Sequence, residues 1–348
     1  MNTKERDANM DMMRITAMIF VMVFHINYYS IGLEEGTAAD YSTYQLLGFS
    51  LMKCVSMVCV NMFILISGWY SIKPTVRGLI KLTFQIWFFS IPTYLCIVCL
   101  YDDTVFSLNI LLHLLIFGGY WFIPAYLLLY ICSPILNSFV RHASQRTYLF
   151  VLLMYWLFMF LYGWIGRETY FDHGCSPLVF FALYLTARYL KLYPNWLSGI
   201  GTKRLVSFYI CILLTSSLLC TFITMNYGSE LAEMLMQYIS PFNVGLSILL
   251  LLLFSKIKMQ NSLINKIGIS CFSAYLLHAS PFFYEKIYYP LGCYSFHLDS
   301  FWKQFLFVVG LITALFSVSV LLDQIRIVLW RRCERMYSTK KWVSQKWE

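Results

Sequence analysis

Apolar runs of about twenty residues, the length an α-helix needs to cross the hydrocarbon core of a bilayer, recur along this chain with only short loops between them. They fall at approximately 12–33, 48–70, 78–101, 119–140, 147–165, 176–190, 205–226, 240–256, 267–287 and 301–323. The sixth and eighth are short, so ten spans are expected with nine or eleven as the alternatives. The stretch 108–117 is too short to cross and is expected to be interfacial or re-entrant. Only 12% of the residues are charged, about half the share of a soluble domain, which excludes a water-soluble globular protein. The expected fold is an all-α integral membrane bundle of about ten transmembrane helices. It forms one transmembrane domain over residues 1–348, with a short basic tail from about 324.

The first run is long, contains His25 and lacks a small-residue cleavage site, so it reads as a retained helix and not as a signal peptide. No internal repeat, low-complexity tract or Pro/Ser-rich linker divides the chain.

Cationic residues set the expected topology, since Lys and Arg accumulate in cytoplasmic loops. With ten spans and a cytoplasmic amino terminus, 22 of the 26 basic residues lie on the inner side. Lys53, Arg167, Lys286 and Lys303 are the four outside, where eleven of the 17 acids also fall, among them Glu34, Glu35, Asp102 and Asp103. Both termini are therefore expected in the cytoplasm, with the chain in the inner (plasma) membrane. The net charge of +9 is then explained by topology, and no nucleic-acid partner is implied.

The 11 cysteines show no metal-type spacing, and most sit in apolar runs where a thiol acts as a small hydrophobe. Cys175 and Cys293 fall in expected outer loops, where an oxidising compartment permits pairing, but no disulfide framework is read here.

Within the first run, Arg14 opens the apolar stretch and His25 follows eleven residues later. Eleven helical steps complete almost three whole turns, so both leave one face, about 16 Å apart along the axis. A cation at the inner mouth then stands below an imidazole near mid-bilayer, the layout of a passage entered from the cytoplasm. His278 lies at a similar depth in the ninth run. Ionisable groups at that depth are functional candidates, against the plainer alternative that each imidazole bonds to a neighbouring helix.

The loop after the second run reads SGWYSIKPTVRGLIK. Lys73, Arg77 and Lys81 recur there every four residues and, if helical, form one basic stripe, with Pro74 in the first turn. Either they anchor the loop to the inner membrane face or they clamp phosphates together with Arg14. Ser67 has no Gly-x-Ser-x-Gly elbow around it, and Ser67-Gly68 reads as a helix-packing point. Tyr120, Trp121 and Tyr275 read as wall or belt aromatics.

These residues also carry a resemblance. NMDMMRITAMIFVMVFH, with Arg14, ten intervening residues and His25, resembles the signature of acyltransferase family 3, integral-membrane enzymes that modify bacterial surface sugars. NMFILISGWYSIKPTVR, YWFIPAYLLLYICSPILN and FSAYLLHASP resemble three further family segments in the same order, so that the likeness extends from about residue 9 to residue 285. It implies acetyl-CoA as a cytoplasmic acyl donor, a hydroxyl acceptor on a polysaccharide or lipid-linked glycan precursor, and essential roles for His25 and Arg14. Family members sometimes continue into an extracytoplasmic esterase-like domain; this chain is expected to be the stand-alone form.

An imidazole has the right basicity to take a proton from an attacking hydroxyl near neutral pH. The expected roles are therefore His25 as general base, His278 as a second catalytic histidine that orients donor or acceptor, and Arg14, Lys73, Arg77 and Lys81 as ligands of the donor phosphates, with no metal. The competing expectation is a transporter or flippase of a sugar or anionic substrate, which would use the same basic cavity without bond chemistry.

Overall fold

A computed structural model describes residues 7–31, 41–193 and 199–338. Lys4, Arg6, Glu34, Glu35 and the lysines beyond residue 338, all used in the topology argument, lie outside the described residues. Every regular element among the described residues is helical: α1 (Ala8–Ile31), α2 (Thr43–Ser56), α3 (Cys59–Tyr70), α4 (Val76–Leu100), α5 (Leu108–Leu115), α6 (Phe122–His142), α7 (Gln145–Phe158), α8 (Pro177–Leu192), α9 (Thr202–Tyr227), α10 (Ser229–Met236), α11 (Pro241–Lys256), α12 (Ser262–Ser270), α13 (Phe272–His278), α14 (Tyr289–Phe296) and α15 (Phe301–Ser338). A π-helical turn extends α7 through Met159–Ile165, and a second, Tyr284–Tyr288, leads into α14.

Among the described residues, eight helical stretches are long and apolar enough to cross a membrane, two fewer than the ten expected. The sixth expected span is α8, which has 16 residues and is therefore about 24 Å long, against a hydrocarbon core of about 30 Å. The ninth is broken: α12 stops at Ser270, α13 at His278, and the chain restarts at Pro281. The shortness of the sixth is already visible in the run 176–190, whereas hydropathy registers apolar length and is blind to the break in the ninth. The stretch expected to be interfacial is the eight-residue α5, too short to cross.

The last span does not end near residue 323; α15 runs on for 38 residues to Ser338. Its apolar window has a mean hydropathy of 2.7, yet only 11% of it is buried by protein. An apolar helix so little covered needs lipid around it. The multiple apolar helices make this a multi-pass membrane protein.

Local sequence fixes several helix starts. Ser42 and Gln45 form a reciprocal capping box on α2, and Ser144 accepts the Thr147 N–H at the start of α7; such contacts satisfy N–H groups that have no partner within the helix. Thr75 does the same for α4 by accepting the Gly78 N–H at 3.0 Å. That cap corrects the basic stripe: α4 begins at Val76, so Lys73 and Pro74 precede the helix, and only Arg77 and Lys81 share it.

The chain divides into two compact units. The first comprises Met1–Ile72 and Ala125–Asn265, the second Lys73–Pro124 and Lys266–Glu348.

In the first unit, α1 packs on α2 and α3, and α3 on α8. Close approach of the last pair depends on Gly68, where an added Cβ would lie 2.5 Å from the Tyr184 carbonyl oxygen. This is the packing point read at Ser67-Gly68. Helix α8 is deeply enclosed, with Val179, Phe180, Ala182, Leu183 and Tyr184 fully buried. Being walled by protein, it does not need the length of a lipid-facing span. Its polar atoms are met by other helices: Tyr184 donates to Asn137 at 2.7 Å, Trp156 to Thr186 at 2.9 Å, and Tyr148 to the Leu185 carbonyl at 2.7 Å. Asn137 in turn donates to the Ile72 carbonyl at 2.8 Å, holding the chain where Ser71, at φ 64°, ends α3.

In the second unit, α13 packs against α4 and α15. Its centre holds a buried ion pair: Arg326 donates to both carboxylate oxygens of Asp323, at 2.7 and 2.9 Å, and Gln85 donates to the same carboxylate at 3.0 Å.

Candidate active site

Helix α1 is unbroken between Arg14 and His25, so the three-turn separation expected from spacing applies and both side chains leave nearly the same face. His25 is half-buried. Arg14 is held in place by an ion pair with Asp11, one turn earlier on the same helix, whose carboxylate is fully buried. The Arg14 guanidinium also lies 5.6 Å from the centre of the Tyr70 ring, a cation–π distance. Tyr70 donates from its hydroxyl to Asp7 at 2.9 Å, and the Lys191 ammonium stands 4.8 Å from the same ring and 5.1 Å from that of Trp69. The first unit thus assembles Arg14, Lys191 and two aromatic faces around the amino-terminal end of α1, with Arg14 still 24% exposed and able to meet a ligand.

Spacing located Arg14 but not its partners. The Asp11-x-x-Arg14 interval is itself a legible signal, since residues three apart on a helix are neighbours. Lys191, Trp69 and Tyr70 come from distant helices and leave no local trace.

Ser67 and Tyr126 lie near this end of the unit. Ser67 donates to the Phe63 carbonyl at 2.9 Å, one turn back, and its oxygen is 3.4 Å from the Tyr126 hydroxyl. No base is bonded to it in these contacts, which fits a packing position.

The remaining expected residues belong to the second unit. Lys73, Arg77 and Lys81 are exposed. Arg77 forms an ion pair with Glu334 of α15, so part of its charge is already matched within the protein. His278 is fully buried at the end of α13. Its Nδ1 is bonded to the Ala274 carbonyl, which can only accept, so Nδ1 carries the proton, and in the neutral form of the ring Nε2 is the acceptor nitrogen. The ring of Tyr288 lies 5.1 Å away and that of Tyr275 6.3 Å away. Tyr120, expected as a wall aromatic, is buried and donates to the Leu276 carbonyl at 2.7 Å, which ties the segment before α6 to α13. Gly119 makes the turn beside it at φ +89°, where a side chain would meet Pro281.

Among the described residues, no cluster of His, Cys, Asp or Glu could hold a metal ion. What the two units offer instead is a set of cations and aromatic rings near α1, a histidine farther along that helix, and a second histidine of fixed tautomer. These are means for binding an anionic ligand and moving a proton in a multi-pass membrane protein. Comparison with known families gives the class: the acyltransferase-domain model of family 3 matches residues 7–324, and the chain belongs to that family. No curated protein and no solved structure matches it.

Proposed function

We propose that this protein is a membrane-bound O-acyltransferase that moves an acetyl group from cytoplasmic acetyl-CoA to a hydroxyl of a cell-surface polysaccharide or a lipid-linked glycan precursor. The observation that carries the reading is the layout of α1: a buried Asp11 holds Arg14 three turns before His25, within a chain of the acyltransferase family. Arg14 binds a phosphate of the donor, and the thioester lies farther along α1 beside His25. Arg77 and Lys81, with Lys73 before the helix, add cationic charge for the donor phosphates. The excess of basic residues on one side supports an inner-membrane location with both termini cytoplasmic.

In the reaction, the acceptor oxygen attacks the thioester carbonyl carbon while its proton passes to His25. The new C–O bond forms, the C–S bond breaks, and the proton moves from the imidazolium to the departing sulfur, releasing CoA as a thiol. His278, with Nδ1 committed to Ala274, accepts a hydrogen bond at Nε2 and so orients a donor or acceptor group.

The test is acetyl transfer from labelled acetyl-CoA to a glycan extract by purified protein, compared with His25→Ala. Loss of a general base costs about a hundredfold or more in rate, and donor binding should persist. The broken run through α12 and α13 favours a second reading, since transporters build substrate sites from discontinuous helices. Vectorial movement of sugar without acetyl transfer would replace the enzyme by a transporter.

A further inference from the structure

We propose that a cavity in the first unit is a purine-nucleotide subsite, which takes the adenosine bisphosphate end of the acyl donor. The proposal rests on the reading of acetyl-CoA as substrate. The cavity encloses about 460 Å³ at the amino-terminal end of α1, with Asp7, Asn9, Trp69, Ser255, Lys258 and Gln260 in its wall. That volume lies in the range of small-molecule sites, and Met10, Ile257 and Met259 complete the wall, a mixture of apolar surface with polar and charged groups that suits a base and its ribose better than an acyl tail.

Each part of a nucleotide has a counterpart there. Trp69 supplies an aromatic face of the kind on which bases stack, and the Lys191 ammonium stands 5.1 Å from its ring centre. Among the described residues Asp7 takes one hydrogen bond, from Tyr70, and a carboxylate retains further acceptor capacity for an exocyclic amine or ribose hydroxyls. The amide nitrogen of Asn9 is committed to the Phe254 carbonyl at 2.9 Å, which leaves its oxygen as a second acceptor. Lys258 is exposed and has no ion-pair partner among the described residues, so its ammonium is available to a phosphate.

Position separates this ligand from a sugar acceptor, which an aromatic ring with carboxylate and amide neighbours would also suit. From Asn9 to His25 the helix rises about 24 Å, with Arg14 about 8 Å from Asn9. A sugar in the cavity would be far from the proposed base. A long donor would place its nucleoside here, its diphosphate at Arg14 and its thioester toward His25, in that order along one helix.

The experiment measures binding of adenosine 3′,5′-bisphosphate to the purified full-length protein in detergent, together with the preference for acetyl-CoA over S-acetylpantetheine, a donor without the nucleotide. Trp69→Ala should weaken bisphosphate binding about tenfold, the scale of one lost stacking contact. It should reduce the preference for acetyl-CoA by a similar factor, and Trp69→Phe should restore both. Lys258→Gln, at an exposed position, gives the same readout if Trp69→Ala fails to fold. Wild-type acetyl transfer from acetyl-CoA with unchanged bisphosphate affinity in Trp69→Ala and Lys258→Gln would overturn the subsite and leave the enzyme reading intact. Trp69-dependent bisphosphate binding without any transfer would support the subsite and remove the enzyme reading. Absence of bisphosphate binding in the wild type would overturn the subsite.

Discussion

Arg14 and Asp11 form an ion pair across one turn of α1, with the carboxylate fully buried and the guanidinium 24% exposed. The partner that is shielded from solvent is the acid, so the pair fixes the cation while leaving part of it accessible. Removing the arginine alone takes the paired cation away from a buried carboxylate. Arg14→Gln should therefore destabilise the protein by about 3 kcal/mol, the lower end for breaking a buried pair, in addition to weakening CoA binding. The double variant Arg14→Gln/Asp11→Asn should recover most of the thermal stability in detergent and none of the CoA affinity. Recovery of both would show that Arg14 serves the fold and does not bind the donor.

His278 is held at Nδ1 by a backbone carbonyl one turn back. Since Nδ1 is engaged by Ala274, an amide at this position can keep that bond while losing the acceptor at Nε2. His278→Asn should retain the wild-type melting temperature within a few degrees and lose at least tenfold in acetyl transfer. An Asn variant with full activity would reduce the residue to a structural hydrogen bond.

Ser67 and Gly68 are neighbours with opposite expected sensitivities. An added Cβ at Gly68 would meet the Tyr184 backbone oxygen at 2.5 Å and the Ala187 Cβ at 2.9 Å, and backbone cannot swing aside as a flexible side chain can. Gly68→Ala should cost about 1–3 kcal/mol through overpacking, read as a lower melting temperature. Ser67→Ala removes a hydroxyl that bonds back to its own helix and makes one long contact with the Tyr126 hydroxyl and should keep more than half the activity. Complete loss of turnover in a folded Ser67→Ala protein would revive a nucleophilic serine.

Much of the fold is legible in the sequence because lipid demands long apolar helices, and length and hydropathy can be counted. The eight spans that meet both criteria each overlap one of the expected runs. The two that fail do so for tertiary reasons: α8 is short because protein encloses it, and the ninth run is interrupted near Cys271 and Ser280 although its composition stays apolar. Side-chain partnerships were less legible. Four-residue spacing put Lys73 on a stripe, but the Thr75 cap starts the helix after it. Charge counting put Arg326 in a solvated tail, whereas its i,i+3 partner Asp323 draws it into the protein. The Arg14–His25 relation survives because it needs only an unbroken helix, while Trp69 and Lys191 meet through tertiary packing that no spacing rule encodes.

Asp323 and Arg326 are both buried, at 0% and 2% side-chain exposure, and Gln85 joins them from α4. Because the guanidinium is bidentate on the carboxylate, either single removal leaves a charge with no adequate counterpart and should cost about 3–5 kcal/mol. Asp323→Leu is therefore expected to abolish stable folding or lower the melting temperature sharply. The paired change Asp323→Leu/Arg326→Met replaces both charges with apolar side chains and should return the melting temperature to near the wild-type value, as replaced buried pairs often do. Acetyl transfer then separates two roles for this pair. A stable double variant with normal turnover makes it a structural clasp between α4 and α15, and a stable variant that has lost CoA affinity would add Arg326 to the donor-binding cations.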